Sequence, residues 1–90
     1  MIEPEFSTAF EFPCSFPLKV IGQADDDFEA FAVSIVRKHV PNVDGAAVTS
    51  RLSRGGKYLA VTITFTAESR PQLEALYQEL SETKRIVMAL

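Results

Sequence analysis

The sequence has one cysteine, one histidine and no tryptophan in 90 residues. A single thiol, Cys14, excludes an internal disulfide and with it the small secreted folds held by several bridges. One histidine and one cysteine supply too few soft ligands for a zinc site. Basic residues are in deficit, nine against twelve acidic, for a formal charge of −3. That balance lacks the general positive field that drives binding to nucleic acid or to anionic membranes. No apolar run approaches the roughly 18 residues that span a bilayer. A secretory leader is not expected, because Glu3, Glu5 and Glu11 stand where a leader is basic, and Pro4, Pro13 and Pro17 interrupt the segment. The compartment implied is the cytoplasm.

Apolar residues are plentiful: 47% of the chain is hydrophobic and 10% aromatic, the composition of a folded domain rather than a disordered chain. The length allows one domain with a small core. Residues 1–9 lack a sustained pattern and read as a mobile tail, and residues 10–90 as the domain.

Phe16 to Gln23 reads as a strand ended by Gly22 and an acidic cluster. Asp25, Asp26 and Asp27 open a helix, with Asp26 and Glu29 in capping-box spacing and acids at the positive helix end. Phe28, Phe31, Ala32, Ile35 and His39 share one face at spacings of three and four, and Pro41 stops the helix. A second strand runs from Ala47 to Ser53. Gly55 and Gly56 then make a hairpin turn, since both can adopt positive φ. In the third strand Leu59, Val61, Ile63 and Phe65 alternate with Tyr58, Ala60, Thr62, Thr64 and Thr66, the period of a half-buried strand. Ser69 and Gln72 cap a second helix, with Pro71 in its first turn. Leu73, Leu76, Tyr77 and Leu80 form its buried stripe, and Ile86 to Leu90 is a closing strand.

The order strand–helix–strand–strand–helix–strand predicts an α+β, ferredoxin-like βαββαβ sandwich. It has a four-stranded antiparallel sheet with both helices on one face and the first and third strands central. The expected core is Phe16, Leu18, Val20, Phe31, Ile35, Val61, Ile63, Phe65, Leu73, Leu76 and Leu80. The uncovered face should carry Lys19, Ile21, Thr49, Arg51, Tyr58, Ala60, Thr62, Thr64 and Val87. Phe6, Phe10 and Phe12 have no assigned place in the helix-side core, and the residues around Phe10 and Phe12 are expected to cover part of the open face.

Four ordered blocks carry a family resemblance. They are Phe12-Pro13-Cys14-Ser15-Phe16-Pro17-Leu18-Lys19-Val20-Ile21-Gly22, Gly56-Lys57-Tyr58-Leu59-Ala60-Val61-Thr62-Ile63-Thr64, Gln72-Leu73-Glu74-Ala75-Leu76-Tyr77-Gln78-Glu79-Leu80, and Ile86-Val87-Met88-Ala89-Leu90. Together they are similar to the YbeD-like family of small bacterial proteins, over residues 10 to 90. Ala60 stands where many members carry serine. The resemblance implies a ferredoxin-like domain related in shape to ACT-type regulatory domains, which bind small ligands or pair side by side. It also implies a regulatory or accessory role near lipoate attachment, where genes of the family are often found.

Motifs for chemistry fail when tested. Gly56-Lys57 is placed as in a phosphate loop, but Tyr58 stands where Ser or Thr must hold magnesium and Arg51 where the first glycine must be. Ser34 and His39 are separated by about 500° of helical rotation, well off a common face. His39 reads as a half-buried helix-end residue and Cys14 as an inert small side chain without a basic neighbour. The consecutive carboxylates Asp25, Asp26 and Asp27 point in different directions and read as helix capping rather than a calcium site. Lys57-Tyr58 faintly resembles an RNA-recognition signature, but Ala60, Lys19 and Ile21 stand where further stacking rings are wanted. The expectation is therefore a non-enzymatic module with no cofactor and no metal, acting through a protein partner or as a homodimer rather than on nucleic acid or membrane. The candidate partner surface is Ile21, Arg51, Tyr58 and Ala60. The alternative is an ACT-like sensor of a small metabolite, whose candidate ligand loop is Gly22 and Gln23, because a glycine there lets a ligand approach the backbone.

Overall fold

The computed structural model of the chain describes residues 12–41, 43 and 47–90. Its elements are β1 (Cys14–Gln23), α1 (Phe28–His39), β2 (Ala47–Leu52), β3 (Tyr58–Ala67), α2 (Arg70–Glu82) and β4 (Ile86–Ala89). They form one sheet in the order β2-β3-β1-β4, every neighbouring pair antiparallel. Because β3 separates β1 from β2, and β1 separates β3 from β4, each helix is the crossover of a split βαβ unit. The ferredoxin-like α+β sandwich follows, with α1 packed on α2 and both on one face of the sheet. The expected tail, residues 1–9, lies outside the described residues.

β1 and β3 run in register over their whole length, from Cys14 opposite Ala67 to Gln23 opposite Tyr58. Alternation then decides which residues are buried. Phe16, Leu18 and Val20 of β1 and Val61, Ile63 and Phe65 of β3 face the helices and are buried, as are Ile35, Leu73, Leu76 and Leu80 on the helices. β1 starts two residues earlier than its pattern suggested, and β2 ends one residue earlier. Gly55 and Gly56 have φ of +90° and +73°, as the hairpin requires.

Three expectations need correction. Phe28, not Phe31, is the fully buried aromatic of α1. Phe31 is half-buried and lies under the guanidinium of Arg85, 4.4 Å from its ring centre. The Asp26–Glu29 capping box does not form: Asp27 is the N-cap, its side chain makes no capping hydrogen bond, and it pairs with Arg85 instead. Phe12 packs, half-buried, against the buried core, whereas Phe6 and Phe10 lie outside the described residues. By contrast α2 is capped as its sequence suggests, with the Gln72 amide N–H donating to the Ser69 hydroxyl.

Gln72 also joins the helices. Its side-chain Oε1 accepts the Glu68 N–H at 2.8 Å, and its Nε2 donates to the carbonyl of His39 at 2.9 Å. One residue thus closes the start of α2 and satisfies a carbonyl left open at the end of α1.

Candidate functional site

Both helices lie on one side of the sheet, so the side chains of the opposite face have no covering element among the described residues. The register arranges them in rows. Arg51 of β2 pairs with Ala60 of β3, Ala60 with Ile21 of β1, and Ile21 with Met88 of β4. In the next row Thr49 pairs with Thr62, Thr62 with Lys19, and Lys19 exchanges backbone hydrogen bonds of 3.2 and 2.8 Å with Leu90. Tyr58, opposite Gln23, closes one end of the face. The four candidate surface residues Ile21, Arg51, Tyr58 and Ala60 therefore share this face, three of them in a single row.

The rows divide the face into two zones. The β2–β3 half is polar, with Arg51, Thr49 and Thr62 beside Lys19. These line a shallow depression of about 230 Å³. The β1–β4 half is aliphatic: Ile21 is half-buried beside Met88, which is 45% exposed, and Leu90 is 62% exposed. Val87, expected on this face, is 57% exposed and borders the same depression as Gln23, but it has no partner in the register, which pairs Ile21 with Met88 and Gly22 with Ile86. The extra residue in β4 is a bulge, which leaves both Val87 and Met88 exposed. Period-two reading of so short a strand could not reveal it.

Gly22 is not in a loop. It is a buried residue of β1 whose helix-facing side is filled by the Phe28 ring. Gln23, next to it, is exposed and borders a second depression of about 240 Å³ with Asp25, Lys84, Arg85 and Val87. Arg85 organises this corner. Its Nη2 lies 2.8 Å from Asp27 Oδ1 and its Nη1 3.2 Å from Asp27 Oδ2, a two-pronged pair, with Asp25 at 3.6 Å. The hydrogen bond from Arg85 holds the Asp27 carboxyl below the usual carboxylate range. The guanidinium also covers the ring of Phe31. Sequence reading missed Arg85 because Asp27, its hydrogen-bond partner, is 58 residues away.

The groups tested for catalysis are tied up structurally. His39 Nε2 lies 2.8 Å from Glu79 Oε1, and Lys38 Nζ lies 2.7 Å from Glu79 Oε2. These contacts fasten the last turn of α1 to α2. The Ser34 hydroxyl donates to the carbonyl of Phe31 on its own helix. Cys14 is half-buried against the core. Among the described residues no group of three or more His, Cys, Asp or Glu is placed to hold a metal ion, and no helix is long and apolar enough to cross a membrane.

Comparison with known proteins agrees with this architecture. Residues 7–90 match the family described as protein of unknown function, DUF493. A UPF0250 protein of Chromobacterium violaceum is 42% identical over 81 residues, covering 90% of this chain and 91% of its own. A UPF0250 protein of Shewanella sediminis is 38% identical over 90 residues, the whole of both chains. Among solved structures, protein HP0495 of H. pylori superposes with a TM-score of 0.68 at 14% identity, over 100% of this chain and 94% of that one. The ACT domain from the GTP pyrophosphokinase of Chlorobium tepidum superposes with a TM-score of 0.53 at 9% identity, over 87% of this chain and 96% of that one. These two show the shared fold. The YbeD-like resemblance fits the same grouping. With a family model spanning residues 7–90 and a relative matched from end to end, the chain belongs to the DUF493 family, the UPF0250 proteins.

Proposed function

We propose that this protein is a non-enzymatic regulatory or adaptor module of the cytoplasm that acts through a protein contact made by the open face of its sheet. The observation that supports this is the row Ala60–Ile21–Met88, an aliphatic strip across the two central strands and one edge strand that no element among the described residues covers. Aliphatic side chains backed by a rigid sheet are good contact anchors, and Tyr58 at the end of the face adds an aromatic one. The family resemblance makes lipoate-attaching enzymes the first partners to try, and a second copy of the chain another.

The experiment is affinity capture from native cell extract with the wild type and with Ile21→Asp/Tyr58→Glu. The expected result is a reproducible partner that the wild type retains and the double variant loses, with the melting transition of the variant intact. A folded double variant that captures the same set would overturn the reading.

The depression beside Gln23 favours a second reading, an ACT-like sensor of a small metabolite. A ligand there would meet Gln23, Lys84 and Arg85 rather than Gly22, whose helix-facing side Phe28 occupies. A thermal-shift screen of metabolites separates the two readings, since a ligand at 100 times its dissociation constant stabilises the fold by about 2.7 kcal/mol.

A further inference from the structure

The described carboxylates are confined to the helix side of the domain, where Lys38 and Arg85 pair with them. Every described Asp and Glu lies on α1, on α2 or in a loop leading into one of them. The open face carries the opposite sign, with Lys19 on β1 and Arg51 on β2; beside it Lys57, in the turn before β3, has its Nζ 5.6 Å from the ring centre of Tyr58. None of these three cations has a carboxylate partner among the described residues. A chain of net charge −3 thus presents a cationic sheet face. Lys19 and Arg51 border one depression together with the Thr49 and Thr62 side chains, and the row from Arg51 runs directly into Ala60, Ile21 and Met88.

We propose that this face docks an acidic, aliphatic segment of another protein. Carboxylates of that segment meet Lys19 and Arg51, and its apolar side chains rest on Ile21, Ala60 and Met88. The proposal rests on the protein-contact reading and names the chemistry of the partner. Arg51 offers a planar fork that matches a carboxylate, and the threonine hydroxyls add donors beside it. Two other occupants fit less well. A second copy docked face to face about a two-fold axis would set cationic face against cationic face, an uncompensated juxtaposition of like charges. Single-stranded RNA needs several rings on which bases stack; the described face has one, Tyr58, with aliphatic side chains where the others would be.

The test is fluorescence anisotropy on the full chain with three labelled probes: an octapeptide alternating glutamate and leucine, its lysine–leucine counterpart, and a short oligouridylate. The expected result is binding of the glutamate–leucine peptide that weakens with added salt. Affinity should fall about tenfold or more in Lys19→Glu/Arg51→Glu and also fall in Ile21→Asp, each variant retaining a cooperative melt. The lysine–leucine peptide should not bind. Equal binding of the two peptides, or an unchanged affinity on charge reversal, overturns the proposal. So does tighter binding of oligouridylate, which makes the face an RNA surface. A wild-type dimer that Lys19→Glu/Arg51→Glu dissociates makes the occupant a second copy. Tighter peptide binding in Glu3→Gln/Glu5→Gln/Glu11→Gln makes the occupant the protein's own start. If the peptide fails to bind while Ile21→Asp/Tyr58→Glu still loses a captured partner, the acidic chemistry is wrong and the protein contact stands.

Discussion

Gly22 and Phe28 occupy each other's space: a β-carbon placed on Gly22 would stand 2.5 Å from Cζ of Phe28 and 2.6 Å from the carbonyl oxygen of Arg85. Real β-carbons do not approach so closely, so the ring seats on β1 only because position 22 has no side chain. The carbonyl belongs to the backbone leading into β4 and cannot swing aside. Gly22→Ala should therefore cost about 1–3 kcal/mol by overpacking. Urea denaturation should show a lower midpoint with an unchanged slope. Phe28→Leu would recover part of the loss in the double variant, because a smaller side chain vacates the contested volume. A midpoint equal to wild type in Gly22→Ala would show that the ring has another place to go.

The centre and the edge of the sheet's helix-facing side should respond differently to truncation. Ile63 is fully buried between Leu18 and Val48 in the register of the central strands. Ile63→Ala removes apolar contacts and leaves a cavity, at a cost of about 2–5 kcal/mol. Leu52, also on the helix-facing register but at the end of an edge strand, is 58% exposed. Leu52→Ala should stay within about 0.5 kcal/mol. Chemical denaturation of both variants under one set of conditions checks the contrast, and equal losses would place the limit of the core further toward β2.

Legibility in the sequence followed period. β3 alternates over ten residues and pairs with both neighbours, so one strongly patterned strand revealed both faces of the sheet. The stripe of α2 was equally plain. Within α1, both Phe28 and Phe31 lie on the apolar face, and periodicity alone cannot rank them. The ranking comes from Gly22, which opens a seat for one ring, and from Arg85, which covers the other. Val40 and Val43 enter the core from beyond the helix, where no pattern exists to follow. The candidate surface was readable on the central strands, but its aliphatic end was not, because the bulge in β4 brings Met88 opposite Ile21.

Acid should loosen the ties between α1 and its neighbours. Glu79 is held below the usual carboxylate range by hydrogen bonds first from Lys38 and then from His39, and Asp27 by the hydrogen bond from Arg85. A depressed carboxylate stabilises the folded state wherever it is ionised. That contribution is present above the ordinary carboxylate range, roughly pH 4, and is lost as the pH falls through the lower folded value. Glu79→Gln should accordingly lower the melting temperature at pH 7, and the gap from wild type should close below that range. Melts recorded from neutral to strongly acidic pH test this. A gap independent of pH would mean that Glu79 acts through packing rather than charge.

Alkali should act through Tyr77. Its ring is buried edge-on to Phe16, with centres 6.3 Å apart, and burial pushes its hydroxyl up to about 12. The folded state therefore favours the neutral phenol more than the unfolded chain does. The stability this contributes is present below the ordinary tyrosine value, about 10, and is lost as the pH rises through the folded value near 12. In the wild type, urea midpoints should hold steady up to about pH 10 and then fall. Tyr77→Phe keeps the ring and removes the proton, so this part of the alkaline fall should disappear. The comparison needs both curves, since Tyr77→Phe also shifts the baseline stability by removing the hydroxyl. Parallel falls in wild type and variant would assign the alkaline transition to other groups.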